Sequence, residues 1–366
     1  MYKRQDKIVN TKPREKSGST SASRFDFQKD WSICKLIESH QTSKDYVVIF
    51  DWHEDLIIMD SEHDPKKVSF YQIKGKKTDN WTLKQLMESK TAKDGSSLLS
   101  IIGKLYDCKS KFDLETTSLN FVSNARFSVD LADKSTSKAK NEICIVEFSD
   151  TDKVTLTAKI KAEHKLTTDP IYEDITFLKV LDLSLDGSKT HTQGKIADFL
   201  ESLKPGGKFN VPSVYRMLFD EVRRRTNYNT DVIAYHDLLA NKAIGKSQFE
   251  KIIDATGINK DYDEIWKGIE PILTSDGMKF QEIKKLKQAW SKLELEKMNP
   301  NNDFLFKIID NIKTITKEQE GNGTLTSFTL QESIESIYNA FNAAKPILLS
   351  YDVSFIKAII LSEIYE

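Results

Sequence analysis

"VSFYQIKGKKTDNWTL", residues 68–83, is the stretch on which the fold turns. Strand alternation puts Val68, Phe70, Gln72 and Lys74 on one face, and Ser69, Tyr71 and Ile73 on the other. Two apolar residues thus open a face that closes with an amide and an ammonium. Burying a lysine costs free energy unless it has a partner or a task. A lysine at an exposed strand end needs neither. The flanking sequence decides between the two.

Upstream, "DYVVIFDW" and "EDLIIMD" are rich in Val and Ile and are separated by Trp52 and His53, which predicts two paired strands. "KKVSFYQIKGK" is the third. Before them, "RFDFQKDWSICKLIES" sets Phe27, Trp31, Cys34 and Ile37 on one helical stripe. After them, "WTLKQLMES" and "SLLSIIGKLYDCKSKF" predict helices, and "SLNFVSNARF" a further strand. Helix, three strands, helical crossover and strand make an α/β layer arrangement, in which the crossover can return the last strand parallel to an earlier one.

From Thr136 to Asp186 the periodicity leaves helix and strand both open, with "ICIVEF" and "ITFLKVLDLSL" the better strand candidates. "ESLKPGGKFNVP" then breaks the chain with Pro205, Gly206, Gly207 and Pro212. Beyond it the pattern is helical: Val214, Met217, Leu218 and Val222 share a stripe, as do Ile334, Ile337, Phe341 and Ala344 before Pro346. "AYHDLLANKAIGKSQFEKIIDATG" has two amphipathic segments around Ala243-Ile244-Gly245, the outline of a helix-turn-helix. "EGNGTLTS", residues 320–327, predicts a second linker. The expected divisions are a flexible basic arm over 1–23, an α/β domain over 24–204, a helical region over 205–319, and C-terminal helices over 320–366. In that last segment Phe355, Ile356, Ile359, Ile360 and Ile364 form a dense apolar surface that is a candidate for docking or self-association.

A net charge of -1, with 39% hydrophobic and 30% charged residues, describes a globular chain whose charge is unevenly spread. Between Lys66 and Lys111 eleven lysines face four acids (Asp79, Glu88, Asp94, Asp107), a zone suited to a polyanion. Cys34, Cys108 and Cys144 are far apart and lack metal-ligand spacing, which predicts reduced thiols in a cytoplasmic protein. No apolar run reaches the roughly 18–20 residues of a membrane helix, and "MYKRQDKIVNTKPREKSGSTSAS" has no secretory core, so no membrane partner is expected.

Cutting a phosphodiester calls for a metal that holds the phosphate and polarises a water, plus a cation against the developing charge. A carboxylate on one strand, an oxygen ligand on the next, and a lysine two residues on supply that kit. Asp55 opens "EDLIIMD", and Gln72-Ile73-Lys74 lies 17 residues after it, past a turn with Asp64-Pro65. Antiparallel pairing would bring Asp55 beside Gln72. The pattern alone is weak; its surroundings strengthen it.

"FDFQKDWSICKLIES", "FDWHEDLIIMD", "FYQIKGKKTDNWTLKQL", "SIIGKLYDCKSKF" and "LNFVSNARF", in this order, resemble the double-stranded-DNA nuclease domain of CD-NTase-associated effectors of bacterial antiphage systems. The same domain occurs in the LmuA nuclease subunit of Lamassu defence systems, and both belong to the PD-(D/E)xK restriction-endonuclease-like superfamily. The resemblance is densest from Arg24 to Phe127. It implies that Asp55 binds metal, with Glu54 as the alternate, the tandem acids being indistinguishable in sequence. It places Gln72 in the (D/E) position, where a neutral ligand leaves one or two ions open, and makes Lys74 the catalytic lysine that orients the attacking water or takes its proton. Gln28 falls where the superfamily often has a site-lining acid. Mg²⁺, with Mn²⁺ as the alternative ion, is the implied cofactor. Lys66, Lys67, Lys76 and Lys77 are candidate contacts to flanking DNA phosphates. His53 next to Glu54 is a further proton-carrier candidate, Arg223-Arg224-Arg225 a candidate phosphate grip, and Ser123-Asn124 a strand-end cap.

The expectation is therefore a restriction-endonuclease-like N-terminal domain followed by a mainly helical region, acting as a metal-dependent dsDNA endonuclease with little sequence preference once activated. The implied partners of a Lamassu-like case are an SMC-type ATPase and an accessory subunit, with homo-oligomerisation on activation. The alternatives are a catalytically silent DNA-binding or scaffolding subunit of the same fold, and an effector of cyclic-oligonucleotide signalling.

Overall fold

Val47-Val48-Ile49-Phe50 is a run of β-branched and aromatic side chains, and all four are buried, so this strand has both faces covered. The computed structural model describes residues 17–77, 79–92, 94–207, 209–255, 262–297, 302–344 and 351–365. The chain divides into two compact units: Met1–Phe199 with Leu218–Phe249, and Leu200–Met217 with Glu250–Glu366.

The first unit is built on a seven-stranded sheet of order β7-β8-β5-β3-β2-β1-β9. Its strands are β1 (Val47–Phe50), β2 (Leu56–Met59), β3 (Val68–Lys74), β5 (Thr116–Ser123), β7 (Glu142–Cys144), β8 (Thr176–Val180) and β9 (Ala243–Gly245). As the loop lengths require, β1, β2 and β3 pair antiparallel. After the crossover helix, β5 returns parallel to β3, and β8 parallel to β5. Two short strands, β4 (Trp81–Thr82) and β6 (Phe127–Ser128), pair separately beside the crossover.

Helix α1 (Ser17–Thr42) lies against β3 through Trp31 and Tyr71, whose rings are 5.5 Å apart. After the single-turn helix α2 (Leu83–Leu86), α3 (Ile101–Phe112) packs Ile102, Leu105 and Cys108 into the core formed with Phe70, Leu119 and Phe121. Burial of each such aliphatic or aromatic side chain contributes about 1.5–3 kcal/mol. Ser100 caps α3 by accepting from the Gly103 N–H at 3.1 Å, and Glu163 of α4 (Asp150–His164) accepts from the Ser100 hydroxyl and N–H. Gly103 is required there: a Cβ would collide with the Glu163 carboxylate. Helices α5 (Ser188–Leu203), α6 (Val211–Thr226), α7 (Tyr235–Lys242) and α8 (Lys246–Ala255) follow.

The second unit is helical: α9 (Tyr262–Ser275), α10 (Phe280–Lys297), α11 (Asp303–Gly321), α12 (Leu330–Ala344) and α13 (Val353–Tyr365). Ile269, Leu286, Ile312, Ile334 and Phe355 belong to its core.

Four expectations change. Residues 17–23, expected in a flexible arm, are the first turns of α1, while residues 1–16 lie outside the described residues. The boundary expected at 204 leaves out β9, which forms an edge of the same sheet. The helix-turn-helix outline is wrong because Ala243-Ile244-Gly245 is that strand, paired with Val47–Ile49 of β1 and buried. Finally, the apolar terminal surface is interior: Phe355, Ile356, Ile359 and Ile360 are buried, and Ile364 is partly buried, in α13. A helix apolar all round belongs inside a core, and this one is covered by its own unit. Pro346 lies outside the described residues.

Candidate active site

Leu56 stands opposite Tyr71 in the β2–β3 register, so Asp55, one residue before β2, comes level with Gln72. Asp55 Oδ2 accepts hydrogen bonds from Gln72 Nε2 at 3.1 Å and from the Ile73 N–H at 2.7 Å, and Lys74 Nζ stands 3.6 Å from the same oxygen. Gln72 and Lys74, the strand's polar end, thus converge with the Ile73 N–H on one oxygen of Asp55. The apolar half of β3 anchors it under α3, and the last two alternate positions are free for chemistry.

The convergence is braced from several elements. Gln28 of α1 donates from Nε2 to the Ile73 carbonyl at 2.8 Å, fixing the middle residue of Gln-Ile-Lys. Ser123, at the end of β5, donates to the Lys74 carbonyl at 2.7 Å and accepts from Trp81 Nε1 at 2.8 Å. Asn124 holds the Lys76 backbone through both its N–H and its carbonyl, each at 2.8 Å. Ser123-Asn124 is therefore the strand-end cap that its sequence suggests, Ser123 capping the Lys74 backbone and Asn124 that of Lys76.

On the other side, the turn from β1 into β2 carries Asp51 at φ +47, a left-handed position that aspartate tolerates better than most residues. The Asp51 N–H donates to the Asp55 carbonyl at 3.1 Å and the Trp52 N–H to that of Glu54 at 3.3 Å. Lys242, at the end of α7 and only 4% exposed, donates from Nζ to the Asp51 carbonyl at 3.0 Å and to that of Thr226 at 3.4 Å. A buried ammonium thus ties down the turn that presents Glu54 and Asp55.

Glu54 is 7% exposed. Burial, reinforced by the charge of Asp55 and opposed by Lys74 and Lys104, pushes its carboxyl up to about 8. Gln72 is 4% exposed, and its Oε1 has no hydrogen-bond partner among the described residues. An orphaned, buried amide oxygen beside the Asp55 carboxylate offers hard oxygen donors of the kind that suit Mg²⁺ or Mn²⁺. Among the described residues no group of three or more His, Cys, Asp and Glu side chains is placed to hold a metal.

Two hollows open here. A cleft of about 530 Å³ is lined by Gln28, Gln72 and Lys74 together with the cations Arg24, Lys90 and Lys104. A second of about 290 Å³ is lined by the acids Asp51, Glu54, Asp55 and Asp107, with Lys104 again. Arg24, Lys90, Lys104 and Lys242 were missed in the sequence. Arg24 lies one helical turn before Gln28, and that spacing was the available signal; Lys242 carried none, since its partners are 16 and 191 residues away.

The remaining candidates are scattered. Lys66 and Lys67 precede β3 at its other end, about 20 Å of strand away from Lys74. There their N–H groups donate to Asp60 Oδ1 at 2.8 and 2.9 Å. Lys76 lines the cleft, but its ammonium is held by the Asn80 carbonyl, by Gln85 and over the Trp81 ring. Lys77 is exposed. His53 packs its ring on Phe112 at 5.1 Å, and burial followed by the charge of Lys111 lowers its pKa. In the arginine run Arg225 is fully buried, pairs with Glu221 and donates to the Ala243 carbonyl, so the three do not make one phosphate grip.

A family model described as "Cap4, dsDNA endonuclease domain" matches residues 16–226, more than half of the chain. The match stops at the end of α6, so α7, with Lys242, and β9 lie beyond it. No curated protein matches the chain.

Proposed function

The chain belongs to the Cap4 dsDNA endonuclease domain family, and on that premise we propose that Asp55, Gln72 and Lys74 form its hydrolytic centre, with Glu54 as an adjoining carboxyl. The DNA endonuclease activity and the place in antiphage defence follow from the family; the residues and their chemistry are our reading. One observation carries it: a carboxylate, an amide and an ammonium from two paired strands meet on a single oxygen, at the edge of a cleft that Arg24, Lys76, Lys90 and Lys104 also line.

A divalent cation, Mg²⁺ or Mn²⁺, would be held by Asp55 and the free Oε1 of Gln72, and would supply Lewis-acid polarisation of the phosphate. The chain's own residues do the rest. Lys74, held in place through Ser123 and Asp55, points an ammonium at the reacting phosphate and its attacking water, offsetting negative charge as it develops. In the hydrolysis the water oxygen bonds to phosphorus while one P–O bond to a deoxyribose breaks; the water gives up a proton to solvent and the departing deoxyribose oxygen takes one from solvent. As the cationic partner of Asp55, Lys74 acts as a hydrogen-bond donor in this step. Gln72 donates to Asp55 through Nε2, which fixes the amide's orientation and leaves its buried Oε1 without a partner among the described residues. Arg24 and Lys90, which line the cleft, would contact backbone phosphates, a contact type that carries little sequence information.

The Lamassu-like affiliation, with an SMC-type ATPase, an accessory subunit and an activated homo-oligomer, rests on the sequence resemblance to LmuA. Co-purification with the products of neighbouring genes tests it. Cleavage of supercoiled plasmid by the full chain, with and without Mg²⁺, tests the nuclease reading itself. A chain that binds DNA but never cuts it would be the silent scaffolding subunit instead.

A further inference from the structure

The cationic cleft and the acidic hollow share one lining residue, Lys104. It lies in the first turn of α3, whose start is fixed by the Ser100 cap and by Glu163, and its own N–H donates to the Ser100 carbonyl at 2.9 Å. Its backbone is therefore rigid while its side chain is exposed. Four acids line the hollow beside it, yet Lys104 Nζ makes no hydrogen bond or ion pair among the described residues. The neighbouring cations are committed: Lys74 to Asp55, Lys76 to Asn80, Gln85 and Trp81, and Lys111 to Asp107 at 2.6 Å.

We propose that Lys104 is a substrate-contacting catalytic residue, which holds a non-bridging oxygen of the scissile phosphate from α3 while Lys74 acts from β3. The inference rests on the nuclease reading above. A phosphate that enters from the cationic side must come up against acids that repel it, and a cation at the seam is what lets it do so. Phosphoryl transfer loads charge onto the non-bridging oxygens, and a cation preset at that point stabilises the transition state more than the ground state. Lys104 neither gives nor takes a proton in this role. Its contribution is therefore expected in turnover rather than in affinity, unlike that of lysines that touch only flanking phosphates.

The test is steady-state cleavage of a labelled duplex by the full chain with Mg²⁺, comparing wild type, Lys104→Ala, Lys104→Arg and Lys74→Ala, each checked by thermal melting. The expected result is a fall in kcat of roughly a hundredfold for the alanine variant, KM within about threefold of wild type, and recovery of most of the loss with arginine. An alanine variant with raised KM and unchanged kcat would make Lys104 an ordinary backbone contact, and one with wild-type constants would give it no role. Both results overturn the proposal and leave the nuclease reading standing, provided that Lys74→Ala is inactive. A wild-type chain that cuts no DNA overturns the two together.

Discussion

Replacing Glu54 with glutamine is expected to stabilise the metal-free protein by an amount that grows with pH. The carboxyl is buried, and its folded-state value of about 8 lies above the ordinary 4.5. Below pH 4.5 it is protonated whether folded or unfolded and costs nothing. As pH rises from 4.5 to about 8 the unfolded chain releases the proton and the folded chain keeps it, so stability falls across this window. At about 1.4 kcal/mol per pH unit the loss is about 3 kcal/mol at pH 7 and levels off near about 5 kcal/mol above pH 8. Glutamine matches the neutral acid in shape and cannot ionise, so it escapes the loss. Urea denaturation in EDTA at pH 5, 7 and 9 measures the difference between the two proteins. It should be about 1 kcal/mol in favour of the variant at pH 5, about 3 kcal/mol at pH 7, and larger at pH 9. A difference that stays flat with pH, or that favours wild type at pH 9, would refute the argument that burial governs this carboxyl.

Two other substitutions probe the neighbours. Gln72→Glu removes the donor to Asp55 and sets two carboxylates at hydrogen-bonding distance, so the metal-free variant should melt below wild type, and Mg²⁺ should raise its melting temperature more and at lower concentration; an Mg²⁺ titration indistinguishable from that of wild type would remove Gln72 from the ligand set. Lys242→Met strips the carbonyls of Asp51 and Thr226 of a charged donor and should cost about 1–3 kcal/mol in urea denaturation while lowering plasmid cleavage, because the turn that presents Asp55 loosens; full activity at reduced stability would confine Lys242 to a structural part.

The strands that build the site were readable because their signals are local. Val47–Phe50 and Leu56–Met59 carry β-branched runs, and the 17-residue interval from Asp55 to Gln72 suits a hairpin register. Other features were hidden for physical reasons. Helix α4 has few buried apolar positions, Leu156 and Ile160 among them, and shows little amphipathic pattern. Strand β9 is three residues long, too short to alternate, and only its pairing with β1 separates it from a helix-turn-helix corner. Counting lysines between Lys66 and Lys111 located the basic zone but not its geometry. Lys66 and Lys74 lie at opposite ends of one strand, and Lys104 reaches the site from a helix. The terminal apolar residues were visible, but whether their cover comes from this chain or from another is a tertiary fact; α10, α11 and α12 supply it.

The most direct test of the account is supercoiled-plasmid cleavage in Mg²⁺ by the full chain and its Lys74→Ala variant, with equal folding confirmed by melting. The lysine side chain is 40% exposed at the end of β3, so its removal leaves the core intact. The account predicts nicked and linear products from wild type and none above background from the variant. Cleavage by the folded variant at the wild-type rate would contradict it.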